Sequence, residues 1–170
     1  SSPAKLAKGL EGVVASQQGL SLVDGVNSRL FYVGIPVHEL SESSTYEETV
    51  FLLWNGCLPK AAELEAFKKE LAAHREISTQ ALEILKKLPT STHPMAMLRT
   101  MVSALSSFDP KADEVSVDLA KTKALKLTAS LATVIAAFFR LREGKTIVAP
   151  RKELSYAANF LYMMHEKEPD

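Results

Sequence analysis

The chain has 170 residues, which is enough for one domain with a buried core. Its 20 lysines and arginines balance 20 aspartates and glutamates, so no excess of positive charge favours nucleic acid or an anionic membrane. The single cysteine, Cys57, excludes an internal disulfide and is typical of a reducing compartment. No signal peptide is recognised at Ser1 to Gly9, and no apolar run reaches the roughly 18 residues of a membrane span. These features predict a soluble, globular, cytoplasmic protein.

The first forty residues predict a short β-hairpin. Two runs rich in β-forming side chains, Gly9 to Val23 and Leu30 to Val33, flank the turn segment Asp24-Gly-Val-Asn-Ser28. Glycine and asparagine tolerate the positive φ angles that tight turns require. Gly34-Ile-Pro36 should end the second strand, because proline has no N–H to donate to a ladder. A short helical turn is expected over Val37 to Leu40.

Four helices are predicted in the middle of the chain. Ser44-Thr-Tyr-Glu47 matches a capping box ahead of an apolar run, and Asn55-Gly56 ends that helix. The next three are expected at Ala61 to Arg75, Ser78 to Leu88, and Pro94 to the loop at Ser106 to Pro110. The residues assigned to their buried faces are Leu64, Phe67 and Leu71, then Leu82, Ile84, Leu85 and Leu88, then Met95, Leu98, Met101, Val102 and Leu105.

The longest predicted helix runs from Val115 to Gly144 without a proline, and basic residues in its last turn match the helix dipole. Its second half is apolar almost all round, so every side must be buried. The bulky side chains form one stripe, Leu131, Val134, Ile135, Phe138 and Leu141, and the small ones form another, Ala129, Ala132, Thr133, Ala136 and Ala137. Because so short a chain has few helices to cover both stripes, we expect the small stripe to contact a second subunit.

The chain is expected to close with an irregular linker and a final helix. The linker, Lys145 to Lys152, contains Pro150, and the helix should cover Leu154 to about His165. The side chains assigned to the inner face of this helix are Tyr156, Phe160, Leu161 and Met164. The predicted fold class is therefore mainly α, with a short β-hairpin near the amino terminus.

No short catalytic motif is present: the chain lacks GxGxxG, GxxxxGK[ST], HExxH and CxxC. Four histidines lie far apart, so none is assigned as a metal ligand: His38, His74, His93 and His165. We interpret the one that precedes Pro94 as fixing the start of a helix. The two at positions 74 and 165 are expected to be solvated.

Other reactive side chains are also given structural interpretations. Cys57 is interpreted as a small packed hydrophobe, and Ser103 has no nucleophile-elbow signature. Glu47 and Glu48 are explained by the helix dipole rather than by a carboxylate dyad. The methionines on predicted helices are interpreted as core residues. We assign no catalytic, cofactor-binding or metal-binding residue.

A set of segments, in this order and spacing, nevertheless resembles the citrate synthase family. The segments are Gly9-Leu-Glu-Gly-Val13, Asp24-Gly25, Leu30-Phe-Tyr-Val-Gly-Ile-Pro-Val-His-Glu-Leu40, Ser44-Thr-Tyr-Glu-Glu48, Leu52-Leu-Trp-Asn-Gly-Cys-Leu-Pro59, Thr92-His-Pro-Met95, Leu98-Arg-Thr100, Val102-Ser103, Ala132-Thr-Val-Ile-Ala-Ala137 with Arg140, Leu154-Ser-Tyr-Ala-Ala-Asn-Phe-Leu-Tyr-Met163 and Glu168-Pro169. The resemblance covers Lys8 to Asp170.

This resemblance implies a mostly helical homodimeric acyltransferase of the tricarboxylic acid cycle. Citrate synthases condense oxaloacetate with acetyl-CoA to citrate and CoA, and close relatives use propionyl-CoA to make 2-methylcitrate. A carboxylate removes a proton from the thioester methyl group, and histidines polarise the two carbonyl groups. The resemblance further implies a dimer through the helices near Pro94 to Ser107 and Val115 to Gly144.

The chain stops at Pro169-Asp170, before the segments that carry the family's catalytic histidines, aspartate and substrate-binding arginines. We therefore expect an inactive fragment that binds no cofactor: residues 1–8 as a tail and residues 9–170 as the amino-terminal part of the helical domain. Smaller departures are Ala132 for proline, Val33 for arginine, and His165-Glu-Lys167 for a turn that usually contains glycine. The alternatives are a non-catalytic dimerisation or scaffold module and part of a 2-methylcitrate synthase.

Overall fold

A computed structural model describes residues 19–169, and the chain divides into two compact units, Ser1–Leu58 and Pro59–Asp170. Within the described residues the structure is mainly α-helical with one small sheet, as predicted. The predicted tail at residues 1–8 and the predicted β-prone run from 9 to 18 lie outside the described residues.

The first unit contains the predicted hairpin. Strands β1 (Ser21–Asp24) and β2 (Arg29–Tyr32) pair antiparallel, with Asp24 opposite Arg29. The positive φ angle of this connection falls on Ser28, at 53°, and not on Asn27. The Asn27 side chain instead donates to Asp24 Oδ2 at 2.9 Å. This hydrogen bond, together with the Arg29 guanidinium, holds the pKa of Asp24 below its usual value.

The sheet contains one more strand than the sequence predicted. A two-residue strand β3 (Ile35–Pro36) pairs antiparallel with β2, with Tyr32 opposite Ile35. The turn between them consists of Val33 and Gly34, which both have positive φ angles, at 50° and 81°. Two consecutive positive φ angles are typical of the type I′ turn that favours hairpins. Pro36 does not end the pairing, because it lies at the end of the edge strand, where its missing N–H costs nothing.

Two helices follow in the same unit, α1 (Val37–Ser43) and α2 (Tyr46–Asn55). The capping box of α2 is present one residue later than predicted: Thr45, not Ser44, is the cap, and Glu48 is its carboxylate partner. The Thr45 N–H donates to Glu48 Oε2 at 2.7 Å, and this register turns Glu47 into the interior, where it is 3% exposed. Gly56, with φ at 75°, ends the helix as predicted.

The second unit contains the remaining helices, and all of them were predicted to within three residues at each end. They are α3 (Ala61–Ala73), α4 (Thr79–Lys87), α5 (Pro94–Ser106), α6 (Val117–Arg142) and α7 (Tyr156–His165). Their amino termini follow the expected chemistry, since the side chains of Ser78, His93, Ser116 and Ser155 each accept a backbone N–H in the first turn.

Helix α6 is the centre of this unit and contacts α3, α4, α5 and α7. Val134, Ala137 and Phe138 join the main apolar cluster, whose other buried members come from α4 and α5. Gly144, at φ 67°, donates to the Leu141 carbonyl, and Lys145 donates to the Arg140 carbonyl at 2.8 Å. This pair of hydrogen bonds is a Schellman cap, so the end of the helix predicted at Gly144 is confirmed.

Helix α6 is also the one helix among the described residues that is long and apolar enough to cross a membrane. Its most apolar 18-residue window has a mean hydropathy of 1.5, and 56% of that window is buried inside the protein. A buried core helix passes the same test of length and composition. The contacts of α6 with four neighbouring helices are those of a core helix.

The small stripe of α6 does not face outward, so its predicted contact with a second subunit is wrong. Ala136 is 1% exposed and packs, with Ala132, against Met163 of α7. Ala137 lies in the main apolar cluster, and Thr133 donates to the Arg75 carbonyl beyond α3. Small side chains let neighbouring helices of the same chain approach closely, which leaves no uncovered alanine stripe among the described residues.

Two predicted inner-face residues lie outside instead. On α5, Met95 is 64% exposed while Met97 is buried, and on α7, Leu161 is exposed while Met163 is buried. The interpretation of all helical methionines as core residues is therefore wrong for Met95. Met95 lies in the first turn of α5, where no earlier turn of the helix packs against the core beside it. Apolar spacing is therefore a poor guide to its burial.

The Val33 turn generates a test of backbone strain. A β-branched residue at positive φ costs about 1–3 kcal/mol, so Val33→Asn should raise the free energy of unfolding by about 1 kcal/mol. The only tryptophan, Trp54, belongs to the same unit and reports its urea unfolding by fluorescence. Val26→Asn is the matched control, since Val26 is 94% exposed and has no positive φ angle. Equal effects of the two substitutions would refute strain at Val33.

Candidate functional site

The histidines lie at separate places in the described chain. His38 is exposed on α1 and His165 is exposed at the end of α7, where its ring lies edge-on to Phe139. His93 Nδ1 accepts the Met95 N–H at 3.2 Å, so its predicted role at the helix start is confirmed. His74 follows α3 and is half-buried rather than fully solvated as predicted.

The other reactive residues do not gather either. Cys57 is exposed, so the prediction of a small packed hydrophobe is wrong: it follows the αL residue Gly56, which turns the chain away from the helix. Ser103 is exposed on α5. Within residues 19–169, no group of three or more histidine, cysteine, aspartate or glutamate side chains is close enough to hold a metal ion.

The second unit contains a cavity of about 490 Å³, here called cavity 1, beneath the loop that joins α5 to α6. Its walls are mainly apolar and include Ile77, Val102, Leu105, Phe108 and Leu127. Volumes of this size are typical of small-molecule sites. His74 and Asp109 also line it, together with two lysines of α6.

The charged groups of cavity 1 are engaged with the loop itself. Lys123 Nζ donates to the carbonyls of Ala112 and Glu114, each at 2.7 Å. The Lys111 N–H, assisted by the positive charge of Lys126, holds the pKa of Asp109 below its usual value. These contacts tie the α5–α6 loop to α6.

A second groove, of about 530 Å³, lies between α5 and α6 and is here called the α5–α6 groove. Its lining is mainly apolar and includes Leu98, Phe138, Phe139 and Met164, with Arg142 and Glu143 as its charged members. Two exposed apolar side chains stand at its rim: Met95 from α5, and Ile135 from α6, which is 37% exposed. Arg142 stacks over the Phe138 ring, 6.0 Å from its centroid. Such a surface fits a protein partner better than a polar substrate.

Three deeply buried polar side chains of the second unit hold the linker between α6 and α7. Arg75 Nη1 donates to the carbonyls of Arg151 and Leu154, at 2.6 and 2.8 Å. Asn159 is 1% exposed, and its Oδ1 accepts the Arg151 N–H at 2.7 Å. A segment without regular structure needs such partners for its backbone groups. The linker predicted at Lys145 to Lys152 is therefore irregular, as expected, but it is firmly anchored.

A third anchor is Arg140, in the last turn of α6, which is 4% exposed. Its Nε donates to the Thr146 carbonyl, its Nη1 to the Met164 carbonyl at 3.3 Å, and its Nη2 to Glu166 Oε2 at 2.7 Å. Sequence reasoning assigned Arg140 to the helix dipole and missed these partners. A basic residue inside an otherwise apolar stretch is the one signal that could have indicated them.

These observations define the class of protein: a mainly α-helical protein whose second unit is built around the buried helix α6. The family model for the citrate synthase C-terminal domain matches residues 9–170. The chain therefore belongs to the citrate synthase family.

Individual relatives agree with this assignment. The chain is 42% identical to citrate synthase from Haloferax volcanii over 98% of its own length, and 38% identical to 2-methylcitrate synthase from Mycobacterium tuberculosis over 97%. It spans 45% and 42% of these two relatives. The crystal structure of citrate synthase from Pyrobaculum aerophilum matches 95% of the chain with a TM-score of 0.87 at 34% identity, and the chain covers 42% of that protein.

The anchor at Arg75 can be tested through its carbonyl group. Thr133 Oγ1 donates to this carbonyl at 2.7 Å in a buried position. Thr133→Val keeps the shape and leaves the carbonyl unsatisfied, which should lower the free energy of unfolding by about 1–3 kcal/mol in urea denaturation. Thr122→Val on the same helix is the matched control, because the Thr122 hydrogen bond to Asp118 is exposed. A loss at Thr122 as large as that at Thr133 would contradict the assignment.

Proposed function

We propose that this chain is the amino-terminal part of a citrate synthase, which condenses oxaloacetate with acetyl-CoA to give citrate and CoA in the tricarboxylic acid cycle. The observation that supports this most directly is the match to Haloferax volcanii citrate synthase. The match covers almost the whole of this chain but less than half of the length of the relative. The remainder of the enzyme then lies in segments that this sequence does not contain.

The reaction requires a base at the thioester methyl group and donors that stabilise the negative charge of the enolate. The enol attacks the keto carbon of oxaloacetate, and water then cleaves the citryl thioester to release CoA. The chain's own polar groups serve other purposes: His93 caps α5, and Arg75 and Arg140 hold backbone carbonyls. We therefore place the catalytic groups, and the binding of acetyl-CoA, outside this chain. Its role in the enzyme is that of a scaffold.

The acyl substrate is acetyl-CoA or propionyl-CoA. Relatives of similar identity carry both names, and one from Bacillus subtilis, 37% identical over 161 residues, is called citrate/2-methylcitrate synthase. The names of the relatives do not separate the two substrates, and we propose the citrate reaction as the first to be tested. We also propose a cytoplasmic location, on the basis of membership of the citrate synthase family.

We further propose that the enzyme is a homodimer formed through α5 and α6. The support is the α5–α6 groove, with exposed Met95 and Ile135 at its rim. Exposed apolar side chains around an apolar groove are the usual composition of a subunit interface. The outer edge of the two helices thus replaces the small stripe of α6 as the candidate contact.

The division of labour between this chain and the rest of the enzyme predicts a simple outcome. The 170-residue polypeptide should release no CoA from acetyl-CoA and oxaloacetate in a thiol assay, whereas the longer encoded chain should. Comparing acetyl-CoA with propionyl-CoA on the longer chain identifies the substrate. Citrate formation by the 170-residue polypeptide alone would refute the claim that its catalytic groups lie elsewhere. A gene that ends at Asp170 would favour a scaffold module instead.

The dimer proposal predicts which substitution separates the subunits. Ile135→Lys places a charge in the proposed interface and should weaken the dimer by at least about tenfold in Kd, or about 1.4 kcal/mol, in analytical ultracentrifugation of the longer chain. Leu161→Lys is the matched control, because Leu161 is a similarly exposed apolar residue on α7. If the Ile135→Lys variant dimerises like the parent, the interface lies elsewhere.

A further inference from the structure

Two arginines from different parts of the second unit reach the same short segment, the turn that follows α7. Arg140 contacts Glu166, and Arg151 contacts Glu168 through Nη1. The turn comprises residues 166–169, here called the exit turn, and it is the route by which the chain leaves the last helix. No other described segment outside a helix receives two arginine–glutamate pairs.

Arg140 is fixed independently of Glu166. Two of its three nitrogens donate to carbonyls, of Thr146 and Met164, and the side chain is almost completely buried. An exposed ion pair usually contributes little, because both long side chains must be ordered. Because Arg140 is already ordered by its other hydrogen bonds, forming the pair mainly orders the side chain of Glu166. Glu166 itself is 61% exposed and has no comparable enclosure.

Arg151 is held in a similar manner through its backbone. Its N–H donates to Asn159 and its carbonyl accepts from Arg75, while its guanidinium lies 5.2 Å from the centre of the Tyr162 ring. The carboxylates of Glu153 and Glu168 raise the pKa of this guanidinium. Both arginines are therefore fixed points that belong to the folded unit, and Glu166 and Glu168 belong to the exit turn.

The backbone of the exit turn has to be held against its own preference. Glu166 has φ 57° and ψ 31°, in the left-handed region that favours glycine. Its N–H donates to the Tyr162 carbonyl at 2.7 Å, which ends α7. A glycine would adopt this conformation more easily than a glutamate does. The glutamate contributes what a glycine lacks, a carboxylate at 2.7 Å from a buried guanidinium.

We infer that Arg140 and Glu166, assisted by Arg151 and Glu168, form a latch that fixes the direction in which the chain leaves α7 and so positions the segments that follow it. This inference rests on the proposed function, because those segments carry the catalytic groups of the longer enzyme. Glu166 and Arg140 are then positioning residues. They act on the reaction through the backbone and touch no substrate.

Glu166→Gly is the decisive substitution. It distinguishes a residue that only ends α7 from one whose carboxylate holds the exit turn, because the two roles predict opposite effects on hydrogen exchange. If residue 166 only caps α7, glycine relieves the backbone and should protect the helix end. If the latch is essential, loss of the carboxylate should loosen the exit turn although the backbone is relieved. Hydrogen exchange of the 170-residue polypeptide measures this directly, and we expect the amides of residues 164–168 to exchange about tenfold faster or more. The matched control compares two glutamine substitutions. Glu166→Gln removes the charge from the pair with Arg140, and Glu83→Gln removes it from the exposed pair with Lys86. A glycine at position 83 would not serve, because this residue lies inside a helix.

The longer chain provides the second readout. Glu166→Gly and Glu166→Gln should lower kcat at least about tenfold while the KM values and the unfolding midpoint stay near those of the parent, because orientation is lost and binding is not. Glu166→Asp, which keeps the charge, should recover part of the loss. A purely structural role would instead lower the amount of folded enzyme and leave kcat per active site unchanged.

The two proposals fail in different ways. Faster hydrogen exchange in the Glu166 variants would support the latch on the exit turn. A longer chain without substitutions that is inactive would overturn the proposed function. Unchanged exchange, or an active longer enzyme in which Glu166→Gly has full kcat, would overturn the latch and leave the proposed function standing. Slower exchange in Glu166→Gly would likewise overturn it.

Discussion

The burial of α6 is the constraint on which the second unit depends. A helix that is apolar on nearly every side has to be covered, and α3, α4, α5 and α7 cover it except at exposed positions such as Ile135. The alanines of α6 decide how closely this happens, because Ala132 and Ala136 let Met163 of α7 lie directly against the helix. Close approach of α7 requires the chain to return sharply after Gly144. The segment that makes this return is the irregular linker. Its backbone groups have no partners in a helix or a strand, so buried polar side chains bind them instead.

The helices could be predicted because their signals are local. Ser78 at the start of α4, Gly56 and Gly144 at the ends of α2 and α6, and the apolar spacing between such signals were all recovered from the sequence. The errors arose where two local solutions compete. The segment from Ser44 to Glu48 offers two capping-box registers, and only the packing of the helix decides between them.

The buried anchors at Arg75 and Asn159 could not be predicted, because no local sequence pattern reveals their partners. Nothing near Arg75 or Asn159 indicates that their side chains hold the linker, because the partners are backbone groups, which carry no sequence signature. The small stripe failed for a related reason. Periodicity showed that Ala136 needed a neighbour, but it could not show that the neighbour is Met163 of the same chain.

The anchoring of the linker also has a consequence for biosynthesis. Arg75 precedes its hydrogen-bond partners Thr133, Arg151 and Leu154 by 58, 76 and 79 residues. At a synthesis rate of about 5–20 residues per second, α3 emerges roughly 4–16 seconds before the linker that its end must hold. Until α6 has been made, the apolar faces of α3, α4 and α5 lack the central helix that covers them. Exposed apolar surface of this kind favours aggregation until the enclosure of α6 is complete.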